Sequence, residues 1–108
     1  MNSPWAIRGV QYSIKMPDSD KWDEISYVIS SQYRIETLKR LSEGPATPSL
    51  IATDQQMDIA HISRALQELR DSGLVTLLVS EDRKKGRVYG ITEQGSSVWQ
   101  SIERRNMT

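Results

Sequence analysis

The segment Arg83-Lys84-Lys85-Gly86-Arg87 puts four cations into five residues with no acid among them. Guanidinium and ammonium groups at that density suit phosphate oxygens, Arg as a planar fork and Lys as a flexible point charge. A second group of hydrogen-bonding side chains lies upstream, where His61, Ser63, Arg64 and Gln67 are interleaved with Ile59, Ile62, Leu66 and Leu69. Each group alone also has an ordinary explanation. A charged hairpin tip stays soluble and resists edge-to-edge pairing, and a polar helix face can simply be solvated. Other chemistries fare worse. The absence of cysteine removes disulfides, thiolate metal sites and thiol nucleophiles, and a single His removes a His-rich zinc site. Ser, Thr, Asp and Glu are plentiful, yet no base is paired with a nucleophile in a recognisable motif. No glycine-rich loop cradles a phosphate either, so neither an enzyme nor a cofactor is expected.

These residues must be held by a small scaffold. The 108 residues allow one compact domain, and 14 Lys+Arg balance 14 Asp+Glu to a formal net charge of zero. No run approaches the roughly 18 apolar residues of a membrane helix. No basic start precedes an apolar segment, so a signal peptide is not expected and the reading is a soluble cytoplasmic protein.

Periodicity divides the chain into an N-terminal arm, residues 1–19, and a domain, residues 20–108. In the arm Val10, Tyr12 and Ile14 alternate with polar residues before Met16-Pro17 breaks the pattern. The arm either adds a strand or hangs as a loosely held tail. Asp20 is expected to cap a first helix with Trp22, Ile25, Val28 and Ile29 on one side. Ser31 caps a second, Gln32 to about Leu41, closed by Gly44-Pro45. Thr47-Pro48 opens a short third helix to about Asp54 that buries Leu50, Ile51 and Ala52. Asp58 caps a fourth, in which Ile59, Ile62, Leu66 and Leu69 form the buried stripe and Gly73 is the stop. Leu74–Val79 and Arg87–Ile91 read as two strands around the charged tip, and Thr92 caps a last helix, Glu93–Arg104, that buries Val98, Trp99 and Ile102. The fold expected is mainly α with a small β-hairpin, a winged helix-turn-helix.

The residues also carry a family resemblance. The run Ile51-Ala52-Thr53-Asp54-Gln55-Gln56-Met57-Asp58-Ile59-Ala60-His61-Ile62-Ser63-Arg64-Ala65-Leu66 resembles the two-helix core of small prokaryotic winged-helix transcription regulators. Leu69-Arg70-Asp71-Ser72-Gly73-Leu74-Val75 resembles their exit into the first wing strand, and Val88-Tyr89-Gly90-Ile91-Thr92-Glu93-Gln94-Gly95 the second strand and final helix. The sequence is most similar to the archaeal and bacterial arsenical-resistance-like and multiple-antibiotic-resistance-like repressor groups. It departs from them at Gln56, where the turn usually has glycine, and at Gln55, where an apolar residue is common. The Cys, His and carboxylate clusters of their metal-sensing members are missing, so no metal partner is expected.

The resemblance implies a transcription regulator, most simply a repressor, associated with the nucleoid and bound to double-stranded DNA. Helix 59–72 would enter the major groove, with Ala60, His61, Ser63, Arg64 and Gln67 toward base edges or phosphates and Ala60 suited to a thymine methyl. The wing, residues 80–87, would lay Arg83, Lys84, Lys85 and Arg87 along the backbone or in the minor groove. Ser49 is a further phosphate candidate. Trp22 and Tyr27, on the first helix, are candidates for a homodimer interface. The competing reading is a winged-helix protein-interaction module of transcription or replication machinery without DNA contact, since fold alone does not fix function. The charge distribution favours DNA: with the wing tip set aside, ten cations face 14 acids. The neutral total is thus a basic wing on a mildly acidic body.

Overall fold

The structure is a computed structural model that describes residues 16–80, 82 and 85–105, with side chains from residue 22 onward. The strand expected over residues 10–15 of the arm, and Arg83 and Lys84, lie outside the described residues. Five helices and a two-stranded antiparallel hairpin follow in the order α1 (Met16–Ile29), α2 (Gln32–Leu41), α3 (Pro48–Gln55), α4 (Ile59–Asp71), β1 (Val75–Leu77), β2 (Tyr89–Ile91) and α5 (Glu93–Arg104). The expected winged helix-turn-helix is present.

Caps decide where most helices begin. Ser31 Oγ accepts from Arg34 N at 3.3 Å, Thr47 Oγ1 from Leu50 N at 3.2 Å, Asp58 Oδ1 from Ala60 N at 2.8 Å and Thr92 Oγ1 from Gly95 N at 3.0 Å. Each satisfies an amide that the helix itself leaves without a partner. The exception is α1, which starts at Met16 rather than after an Asp20 cap. Pro17 falls in the first turn, where its missing N–H and fixed φ do no harm.

The core is one cluster. Ile25 and Val28 of α1, Leu38 and Leu41 of α2, Ile51 of α3, and Ile62, Leu66 and Leu69 of α4 join Leu74, Val75, Val98, Trp99 and Ile102. Two expected core residues are displaced. Leu50 is 42% and Ile59 48% exposed. At about 100° per residue the buried stripe of α4 is centred between Leu69 and Ile62 and includes Ala65. Ile59 sits about 70° from that centre and, as the first helical residue, has no preceding turn above it. Leu50 stands near the N-terminus of α3 with its side chain turned out, while Ile51 and Ala52 face inward.

The hairpin is shorter than the apolar run suggests. Val75 pairs with Ile91, Thr76 with Gly90 and Leu77 with Tyr89, and Leu78 N donates to Val88 O at 2.8 Å before the strands part. A third segment touches β2: Ala46 and Tyr89 exchange N–H···O bonds of 3.0 and 2.9 Å. That bridge ties the α2–α3 connection to the wing base. At the other end Gly95 lies so close to β1 that a Cβ there would overlap the Leu74 carbonyl oxygen and stand 2.9 Å from Ile91 Cγ1.

The two departures from the family pattern have physical answers. Gln55 Nε2 donates to Glu36 Oε1 at 2.6 Å, and Gln32 Nε2 donates to Glu36 Oε2 at 2.8 Å, so an amide pairs with a carboxylate on α2 where an apolar contact would otherwise close the turn. Gln56 is left-handed, with φ 56° and ψ 50°, and Met57 N closes back onto Ala52 O at 2.9 Å. A side chain in that conformation costs about 1 kcal/mol. Gln56→Gly is therefore expected to raise stability by about 1 kcal/mol less roughly 0.4–1 kcal/mol of added unfolded-state entropy, a net gain of at most about 0.6 kcal/mol or a few degrees in Tm. Thermal unfolding checks this, with Gln56→Ala, which keeps the strain, expected to leave Tm unchanged.

Candidate nucleic-acid interface

The exposed arc of α4 has two sides. Ile59, Ser63 and Gln67 recur every four residues and look toward the wing. There they line a cleft of about 750 Å³ with Thr47, Pro48 and Ser49 from the start of α3, and Lys85, Arg87 and Tyr89 from the wing. Three segments distant in sequence thus bring together five of the expected contact residues: Ser49, Ser63, Gln67, Lys85 and Arg87. Helix α3 starts here with a neutral threonine cap and no acid in its first turn, which leaves its positive end unneutralised by the helix's own side chains. The start of α4 is different. Asp58 occupies the Ala60 N–H and brings its own negative charge, so an anion is less welcome there than the sequence alone implies.

His61 and Arg64 belong to the other side. They border a smaller pocket of about 290 Å³ with Tyr33, Arg34 and Glu68. The His61 imidazole stacks on the Tyr33 ring, with centroids 4.4 Å apart and planes 19° from parallel. The Arg64 side chain is 80% exposed, and its Nε lies 3.7 Å from Glu68 Oε2. A contact that long between exposed partners holds the side chain only weakly. Ala60 is exposed between the two sides. The ten residues expected to act together are therefore divided: five in the cleft, His61 and Arg64 beside α2, Ala60 between them, and Arg83 and Lys84 outside the described residues.

The late acids of α4 are held in place. Glu68 Oε1 accepts from Arg34 Nη1 at 2.9 Å, and Asp71 Oδ1 accepts from Gln67 Nε2 at 3.0 Å. Arg34 is a hub: its Nε donates to Tyr27 O at 2.8 Å, its Nη2 to Ser30 Oγ at 2.6 Å, and its guanidinium lies 4.1 Å from the centre of the Tyr27 ring. It fixes the α1–α2 corner against α4 and draws the Glu68 charge toward α2. Tyr27 is thus partly committed within its own protomer. Trp22 is 43% exposed, with the Arg105 guanidinium 4.7 Å from its ring centre, whereas Trp99 is core, as expected.

Tyr33 and Arg34 were not legible as site residues, because only the packing of α2 on α4 brings them there. A signal existed for Tyr33 alone, an aromatic on the polar side of α2. Among the described residues no three His, Asp or Glu side chains are grouped to hold a metal ion. Among them too, no helix is long and apolar enough to cross a membrane.

Solved structures share this architecture. The homodimeric winged helix-turn-helix DNA-binding domain of Mb0332 from Mycobacterium bovis, a possible ArsR-family regulator, superposes with a TM-score of 0.63 at 21% identity, covering 88% of each chain. The MarR-family regulator NMB1585 from Neisseria meningitidis gives 0.64 at 20% identity, over 84% of this chain and 63% of its own. MepR from S. aureus, solved as a DNA complex, gives 0.61 at 18% identity, over 84% and 78%. The chain spans only 53% of Lactococcus lactis ZitR. The neighbours come from both of the repressor groups that the sequence resembles, and at these identities what they share with the chain is the fold. No protein of curated function matches it. Residues 22–108 match the family described as the HVO_A0261 N-terminal domain, and the chain belongs to that family.

Proposed function

We propose that the chain is a DNA-binding transcription regulator, a repressor that acts as a homodimer. The carrying observation is the wing-side cleft, where hydroxyl, amide and cationic groups from α3, α4 and the wing converge. Helix α4 enters the major groove, with Ser63, Gln67 and the exposed Arg64 reaching base edges or phosphates and Ala60 and His61 along the same exposed arc. Lys85 and Arg87, with Arg83 and Lys84 beside them in the sequence, follow the backbone or the minor groove, and Ser49 bonds a phosphate. The body carries the excess of acid and turns away.

The homodimer draws support from the aromatic Trp22 on α1, which packs against α5, and from the homodimeric M. bovis domain. Tyr27 contributes at its edge. A dimer reads half-sites about one helical turn apart. The arm, residues 1–19, runs into the first turn of α1, and residues 20–108 are the DNA-binding domain, in a cytoplasmic, nucleoid-associated protein.

One observation favours a protein-docking module instead: Leu50, Ile59 and Leu78 are apolar and exposed. Binding to random-sequence duplex across a salt series separates the two. A DNA reader binds at low salt and weakens steeply as salt rises. Absence of binding at micromolar protein in low salt would leave the docking module as the better account.

A further inference from the structure

One side chain in the wing-side cleft is not explained by polar recognition. Ile59 opens α4 and remains 48% exposed. It lines both the cleft and the neighbouring groove of about 430 Å³ that reaches Gln56 and Met57, so it stands on the ridge between them. Ser63 and Gln67 follow one and two turns along the same side, and Lys85 and Arg87 form the facing wall. An apolar group thus leads a row of hydrogen-bonding groups, beside cations, at the end of the helix that meets bases first.

The major groove offers a matching partner. Among the base edges exposed there, the C5-methyl group of thymine is the apolar feature, set beside donors and acceptors. We infer that Ile59 is a specificity-determining residue that packs on a thymine methyl, with Ser63 and Gln67 hydrogen-bonding the adjoining base edges. The inference rests on the DNA-binding reading and extends it to the base that is read. It moves the thymine contact from Ala60 to Ile59. Ala60 lines neither the cleft nor the groove beside it, and its single methyl offers less area. Burying one methyl corresponds to about fourfold in affinity.

The test starts from the duplex that wild-type protein selects out of a random 30-bp pool, an arbitrary length of about three helical turns. Its thymines are replaced one at a time by deoxyuridine, which removes only the methyl, and Kd is measured for wild type, Ile59→Ala and Ile59→Val. At one or two adjacent positions uracil should weaken wild type about fourfold. Ile59→Ala should lose about as much on the thymine duplex and then be indifferent to uracil, while Ile59→Val stays sensitive. Since Ile59 is exposed, all three proteins should melt alike. A wild type insensitive to uracil at every position overturns the inference, as does Ile59→Ala remaining as sensitive as wild type. Either result leaves DNA binding standing, whereas no binding to any duplex overturns both.

Discussion

Replacing Lys85 and Arg87 together by alanine is expected to weaken binding to random-sequence duplex about 60-fold near 0.1 M salt. Each phosphate neutralised adds about 0.9 to the slope of log K against log salt, and so about 0.9 log units of affinity at 0.1 M relative to 1 M. Two contacts give about 1.8 log units, and the slope should become shallower by about two. The geometry supports both residues acting at once. They flank Gly86, whose φ of 64° turns the chain at the wing, and both line the cleft opposite α4. The base of the wing is also anchored, since Tyr89 is bonded to Ala46 on one side and paired with Leu77 on the other. Fluorescence anisotropy across a salt series checks the effect. Arg104→Ala, an exposed cation at the end of α5, serves as the control and should leave the slope unchanged. An unaltered slope in the double variant would place the phosphates elsewhere.

Gly95→Ala is expected to destabilise the fold by about 3 kcal/mol, at the upper end of the cost of overpacking a core. The sign is informative, because glycine to alanine inside a helix ordinarily gains about 0.5–1 kcal/mol. Here the added methyl would overlap the Leu74 carbonyl oxygen, and that carbonyl has little freedom to move. It accepts from Thr92 N at 3.0 Å, while Leu74 N donates to Leu69 O at 3.0 Å. Thr92 is fixed in turn: its hydroxyl donates to Gly73 O at 2.7 Å and accepts from Gly95 N. Relief therefore requires α5 to withdraw from the wing base, which opens the packing of Val98 and Ile102. Thermal unfolding should show Tm lowered by more than about 10 °C. A Tm at or above that of wild type would mean that the close approach of α5 to β1 is absent.

Much of this architecture was legible because the signals are local. Ser31, Thr47, Asp58 and Thr92 announce their helices within three residues, and α2 and α5 span the expected ranges. Gln56 was flagged only through the resemblance, as the turn position where relatives carry glycine, and its left-handed backbone bears that out. What escaped depends on tertiary placement. Pro17 read as a break, yet a first-turn proline is compatible with α1. The Ala46–Tyr89 bridge involves one residue between Pro45 and Thr47-Pro48, too short for any periodicity. Ile59 matched the apolar spacing of α4 but lies at the rim of its buried stripe, at the helix start, and so fronts the cleft. In the candidate site the residue types were readable, whereas the division of α4 into a wing side and a Tyr33 side follows from how α2 and the wing pack around it.

In the proposed regulator it is the α3–α4–wing face that meets duplex DNA. Amide chemical-shift mapping of 15N-labelled protein, titrated with the selected duplex, tests it most directly. The predicted result is that amides of residues 47, 49–50, 59–67 and 85–89 shift or broaden together and saturate at one stoichiometry, while those of 98–104 on α5 stay in place. Shifts confined to α1 and α5, with residues 59–67 and 85–89 unmoved at saturation, would contradict it.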